Sequence, residues 1–181
     1  MNTDFSYRDL FRDLSSLMAG ETSFVTMMAN TSALLYNRME NINWTGFYVL
    51  EKDILVLGPF QGNIACTRIP VGSGVCGTAV AEERILCINN VHSFNGNIVC
   101  DTASNSEIVL PVRINNTVVG ALDIDSPAFS RFSSEDELGL NKLAVQFGKM
   151  AELTDYLKIV SPVSKDRVNK LYLHTSPSVC G

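Results

Sequence analysis

Two apolar, β-branched runs, Ile108–Ile114 and Val118–Asp125, flank the dipeptide Asn115-Asn116. Period-two runs separated by asparagines read as a β-hairpin. This hairpin commits the chain to an antiparallel sheet, and the other segments must cover it. NWTGFYVL (43–50) reads as an aromatic strand, Glu51-Lys52-Asp53 as a turn and Ile54–Phe60 as its partner strand. Ile85–Ile88 is a further short strand. Helical spacing of apolar residues appears in 4–18 (Leu10, Leu14, Leu17, Met18), in Glu21–Met39 (Phe24, Met27, Met28, Leu34, Leu35) and in a long helix after the capping box Ser134-x-x-Glu137. That last helix is expected to bury Leu140, Leu143, Ala144, Phe147, Met150 and Ala151. Val75–Glu83 reads as a short helix after a glycine-rich turn. The expected fold is α+β, a central antiparallel sheet with helices on one face and ligand-covering loops on the other. Residues 1–160 are expected to form one domain and 161–181 a weakly ordered C-terminal tail.

Composition narrows the function. Lys and Arg number 14 against 19 Asp and Glu, a net charge of −5, and no basic cluster occurs. Nucleic acid and acidic membrane surfaces are therefore poor partners. No apolar window reaches the ~18 residues of a membrane helix, and the acidic opening MNTDFSYRDLFRDL is not a secretory signal. The expected compartment is the reducing cytoplasm.

Five cysteines stand at 66, 76, 87, 100 and 180. None forms Cys-x-x-Cys, and the gaps between 66, 76 and 100 are too long for a zinc knuckle, so no metal is expected. His92, isolated in a polar loop, reads as solvated. Cys87 lies in an apolar run and reads as core; Cys180 reads as exposed. Cys66, Cys76 and Cys100 lie instead in polar, glycine-containing loops. Each fits a small buried hydrophobe or a reactive thiol. Cys76 opens a helix, where backbone N–H groups and the dipole favour a thiolate. Cys100 lies within the polar loop 89–106, with Ile98 and Val99 placed to pin it. Gly72-x-Gly74-x-x-Gly77 matches a dinucleotide fingerprint, but no βαβ unit surrounds it.

Asp123 and Asp125 are two apart on a strand and share one face, while Leu122 and Ile124 point to the core. The aspartates form either a solvated outer face or a site in which mutual repulsion raises one pKa. Such a pair binds an ammonium group or protonates an oxygen. Glu107 joins them only if the hairpin register pairs it with Asp125. A three-residue loop, Asn115 to Thr117, gives that register; a two-residue turn points Glu107 away. The three-residue loop is expected. Trp44 is either core or the aromatic wall of a pocket.

In order along the chain, NWTGFYV, GNIACTRIPVGSGVCGTA, GNIVCDTASNSEIVLPV and GALDIDSP-x-F-x-RF resemble the free methionine-(R)-sulfoxide reductases, small enzymes built on a single GAF domain. The resemblance runs from about Asn43 to Phe132. It implies that Cys100 is the nucleophile that attacks the sulfoxide sulfur and becomes a sulfenic acid. Cys66 then closes an intramolecular disulfide, which thioredoxin or a related dithiol reduces. Cys76 matches the family's third cysteine, an alternative resolving thiol. Glu107, Asp123 and Asp125 match its substrate-binding acids, and Trp44 the aromatic that receives the substrate's methyl group. No cofactor is implied, the activity belongs to the oxidative stress response, and a homodimer through the terminal helices is compatible. Two other functions fit a GAF domain: a small-ligand sensor, disfavoured because no helical linker to an output domain is seen, and a redox switch using a Cys66–Cys100 disulfide.

Overall fold

The structure, a computed structural model, describes residues 6–96 and 103–160. Helices α1 (Tyr7–Leu17) and α2 (Phe24–Arg38) come first, followed by strands β1 (Trp44–Glu51), β2 (Ile54–Gly62) and β3 (Arg68–Pro70). Helix α3 (Gly74–Glu82), strands β4 (Leu86–Ile88), β5 (Ser106–Ile114) and β6 (Thr117–Ser126), and helix α4 (Ser134–Ala151) complete the order. The six strands form one antiparallel sheet in the order β3-β2-β1-β6-β5-β4.

Both faces of the sheet are buried. One is covered by α1, α2 and α4, where Leu14, Met27, Leu35, Leu143 and Phe147 pack on Phe47, Leu110, Leu122 and Ile124. The other carries the loops and also α3, whose Val75, Cys76, Ala79 and Val80 pack on Trp44, Tyr48, Leu50, Val109 and Ala121. Leu17, expected on the packed side of α1, is 49% exposed; the seam closes on Leu10, Leu14 and Met18 instead. Strand β3 was not expected, because three residues ending in proline carry little strand signal. An edge position suits Pro70, which has no N–H for the ladder. Pro59 is tolerated inside β2 because the β1–β2 register slips between Gly46 and Tyr48.

The capping box of α4 lies one residue earlier than the sequence indicates. Ser133, not Ser134, is the N-cap; its hydroxyl accepts from the Asp136 N–H, and the Asp136 carboxylate accepts from the Ser133 N–H at 2.8 Å. Asp136 wins because Tyr7 donates to it at 2.6 Å and Arg131 pairs with it at 3.2 Å. Those partners hold its carboxyl below the usual range against the cost of burial.

The hairpin differs from expectation in its turn but not in its pairing. Asn115 and Asn116 form a two-residue turn with φ of +50° and +62°, the left-handed pair of a type I′ turn. Taken alone, that turn points Glu107 away from the aspartates. A bulge restores the pairing: Arg113 pairs with Val118 and Val112 with Gly120, leaving Val119 extra. Side-chain alternation slips there, so Val119 shares the helix face with Leu122 and Ile124. Glu107 then pairs with Asp125.

At the bulge, β6 lies so close to β1 that a Cβ on Gly120 would stand 2.1 Å from the Tyr48 carbonyl oxygen. Gly120→Ala is expected to destabilise the fold by about 3 kcal/mol, since only backbone movement relieves the clash. Urea unfolding measures it, and a loss below about 0.5 kcal/mol contradicts this packing.

Candidate active site

The functional side chains gather on the α3 face of the sheet, where β1, β6 and β5 lie side by side. Across these strands, Trp44 pairs with Asp125 and Asp125 with Glu107; one step inward Gly46, Asp123 and Val109 are aligned. The sheet register thus brings Trp44, Glu107, Asp123 and Asp125 together, and α3 lowers Cys76 onto them. The Cys76 thiol lies 3.9 Å from Glu107 Oε1, and the terminal atoms of Cys76, Glu107 and Asp123 all lie within 4.8 Å of one another.

This is no solvated outer face. Asp123 is only 6% exposed, and its Oδ1 is buried with no hydrogen-bond partner. Burial pushes the Asp123 carboxyl up to about 7, opposed by hydrogen bonds from Cys76 and Glu107. Glu107 is raised well above the usual carboxylate range, first by burial and then by the negative charge of Asp123 and Asp125. The two acids titrate as a pair sharing a proton near neutrality.

Cys76 overturns the expectation of a favoured thiolate. It does occupy the first turn of α3, but it is 3% exposed and faces three carboxylates. Burial, then Asp123 and Glu107, push its thiol well above its ordinary value. The helix dipole is too small to reverse desolvation plus like charge. Cys66 differs: it is half-buried and disulfide-bonded, whereas Cys76 and Cys87 are free thiols. Cys87 packs against the helix-side core as expected. Cys100, Ile98 and Val99 lie outside the described residues, as does Cys180.

Trp44 is 2% exposed and stacks between two rings, Tyr48 (centroids 6.0 Å, 25°) and Phe60 (5.3 Å, 16°). Gly46 makes this possible: a Cβ there would lie 2.3 Å from Phe60 Cβ and 2.7 Å from Trp44 Cη2. Trp44 Nε1 donates to the Asn63 carbonyl at 3.1 Å, and the Tyr48 hydroxyl donates to the Cys66 carbonyl at 3.0 Å. The loop bearing Cys66 is therefore tied to the aromatic wall at both ends. Tyr48 and Phe60 were missed as site residues, although the two-residue period of NWTGFYVL puts Trp44, Gly46 and Tyr48 on one face.

Among the described residues, Cys76, Glu107 and Asp123 are the trio close enough to share a cation. All three are pushed toward their protonated forms, which opposes metal binding. His92 lies apart, bonded to Asn105 at 2.8 Å. The arrangement is a carboxylate pair with a shared proton, beside an aromatic wall and a disulfide-bearing loop. It can hold a small cationic group, accept an apolar one and protonate an oxygen. No helix among the described residues is long and apolar enough to cross a membrane.

The GAF domain family model matches residues 7–150. The free methionine-R-sulfoxide reductase of Escherichia coli is 59% identical over 164 residues, covering 91% of this chain and 99% of that protein. The reduced form of fRMsr from Staphylococcus aureus superposes with a TM-score of 0.80 at 42% identity, over 82% of this chain and 97% of that one. The free methionine-R-sulfoxide reductase of Neisseria meningitidis, solved in complex with its substrate, gives 0.78 at 40% identity, over 81% and 89%. The chain belongs to the GAF-domain family of free methionine-R-sulfoxide reductases.

Proposed function

We propose that this protein reduces free methionine-(R)-sulfoxide to methionine, using its own thiols and a dithiol protein such as thioredoxin. The observation that carries the reading is the buried Glu107–Asp123 pair, raised to hold a proton near neutral pH beside Trp44. A sulfoxide oxygen leaves sulfur readily only when protonated, and a carboxyl kept neutral by its neighbour supplies that proton.

In this reading Trp44 receives the substrate's methyl group and Asp125, half-buried near the end of β6, holds its ammonium. Cys100 attacks the sulfoxide sulfur while the Glu107–Asp123 pair protonates the oxygen. The oxygen passes to Cys100 as a sulfenic acid and methionine leaves. The Cys66 thiol then condenses with the sulfenic acid, releasing water and closing a disulfide. The reductant's two thiols open that bond and become a disulfide themselves, returning two electrons to the enzyme. The disulfide borne by Cys66, on a loop tethered to the pocket wall, supports its place in this sequence. The same reading places the activity in the cytoplasm and takes 1–160 as one catalytic domain.

The test supplies thioredoxin, its reductase and NADPH with free methionine-(R)-sulfoxide, the (S) epimer or a peptide-bound sulfoxide. NADPH loss with the free (R) epimer alone is expected; no loss with any of them returns the chain to ligand sensing. Cys100→Ser is expected to abolish reduction. Cys66→Ser is expected to release about one methionine per enzyme and then stop, in line with its resolving role. Normal recycling by that variant sinks the assignment.

The buried pair also leaves a signature in stability. A carboxyl raised from its ordinary 3.8 to about 7 in the folded state binds its proton more tightly folded than unfolded. Its stabilising contribution is complete below pH 3.8 and is lost as pH rises toward 7. Asp123→Asn, uncharged throughout, is expected to be more stable than wild type at pH 8 by on the order of 2 kcal/mol, with the gap closing below pH 4. Thermal unfolding across that range reads it; a pH-independent gap means that Asp123 is not held protonated.

A further inference from the structure

Opening the Cys66 disulfide with a dithiol protein requires that protein to touch this one, and the chain around Cys66 fixes where. A thiolate opens a disulfide by reaching one of its two sulfurs. A protein that carries the thiolate lays several hundred Å² of its own surface around the point of attack, even in a short-lived redox encounter. Cys66 is half-buried and disulfide-bonded. Ile64 stands two residues before it, a separation of at most about 7 Å along the chain. It is 89% exposed, the most exposed large apolar side chain among the described residues. We infer that Ile64 is the docking anchor for the dithiol reductase, inserting into an apolar, uncharged surface beside that protein's reactive thiol. The inference rests on the thiol-recycling part of the functional reading and not on which sulfoxide is reduced.

A single exposed isoleucine is ordinary on a protein surface. Three features set this one apart. First, the segment that presents it is held from within. Trp44 Nε1 donates to the Asn63 carbonyl at 3.1 Å and the Tyr48 hydroxyl to the Cys66 carbonyl at 3.0 Å, both from buried side chains. Ala65 and Cys66 pack inward on the α3-side core, while Ile64 between these fixed points is left in water. A partner that meets it pays little to order the segment, and covering the side chain recovers apolar surface the fold itself leaves wet. Second, the ground around it is neutral. No Asp, Glu, Lys or Arg occurs from Ile54 to Thr67, in a chain of net charge −5. Gln61, Gly62, Asn63 and Thr67 are exposed and uncharged. An apolar centre within an uncharged polar rim is the composition of an interface core. Third, the flank is open. β3 begins two residues after Cys66 and is the outermost strand of the sheet, so no further strand among the described residues lies beyond it.

The test reads reduction of the disulfide directly. Oxidised protein is mixed with thioredoxin, its reductase and NADPH without any sulfoxide, over a range of thioredoxin concentrations, and in parallel with dithiothreitol alone. Ile64→Ser is expected to lower the second-order rate with thioredoxin about tenfold, in the range found when an interface anchor is truncated. Its rate with dithiothreitol, a reductant too small to need docking, is expected to stay within about twofold of wild type, and Ile64→Leu to keep most of the thioredoxin rate. Leu153→Ser, at an 82% exposed apolar position beyond α4, is expected to change neither rate. Equal thioredoxin rates in wild type and Ile64→Ser overturn the inference. An equal loss with both reductants overturns it as well, because Ile64 then shapes the disulfide and not the encounter. A wild-type disulfide that thioredoxin leaves intact also overturns it. If the wild type leaves every sulfoxide unreduced, the functional reading fails, and the reduction rates still decide the docking.

Discussion

Placing Asp123 in the middle of a fully covered sheet is the constraint that organises this molecule. An isolated ionised carboxylate in such a place costs several kcal/mol, and the usual escape is to stay protonated or to share a proton. Every neighbour here serves the second option. Leu122 and Ile124 lock β6 into the helix-side core, so Asp123 cannot turn outward without exposing them. Glu107 arrives by cross-strand pairing and Cys76 by the packing of α3. The result is a cluster whose charge is unsettled at neutral pH, a condition suited to gaining or giving one proton.

The aromatic wall and the thiol loop are connected through the same strand. β1 carries Trp44 and Tyr48 on one face, and both reach past the pocket to grip the segment between Asn63 and Cys66. The indole proposed to receive the substrate's methyl group and the phenol that anchors Cys66 are thus neighbours in a stack. The indole is joined to Asn63 by a hydrogen bond and to Tyr48 by ring contact. Wall and loop are therefore built as one unit.

Much of this was legible in the sequence where period and local chemistry agree. The hairpin, the shared face of Asp123 and Asp125, the helix faces of α2 and α4 and the core role of Cys87 follow from alternation or helical spacing, which tertiary packing then reinforced. The misreadings have physical causes. The turn at Asn115-Asn116 is the tighter one, and Glu107 reaches Asp125 only through an extra Val119, a bulge that no local residue announces. The capping box moved because Asp136 has partners 129 residues back in Tyr7 and five back in Arg131, long-range terms that a four-residue motif cannot contain.

Cys76 is the most instructive of these cases. Its position at a helix N-terminus is a local fact, and local reasoning makes it reactive. What decides its chemistry is the identity of the residues across the gap, fixed by strand register some thirty to fifty positions away. A thiol that faced a lysine from the same place would be a nucleophile; facing Glu107 and Asp123 it is a weak, neutral donor. The carboxylates that make the site able to protonate an oxygen are the same ones that silence the nearest thiol. An attacking sulfur in such a site has to approach from outside the acid cluster.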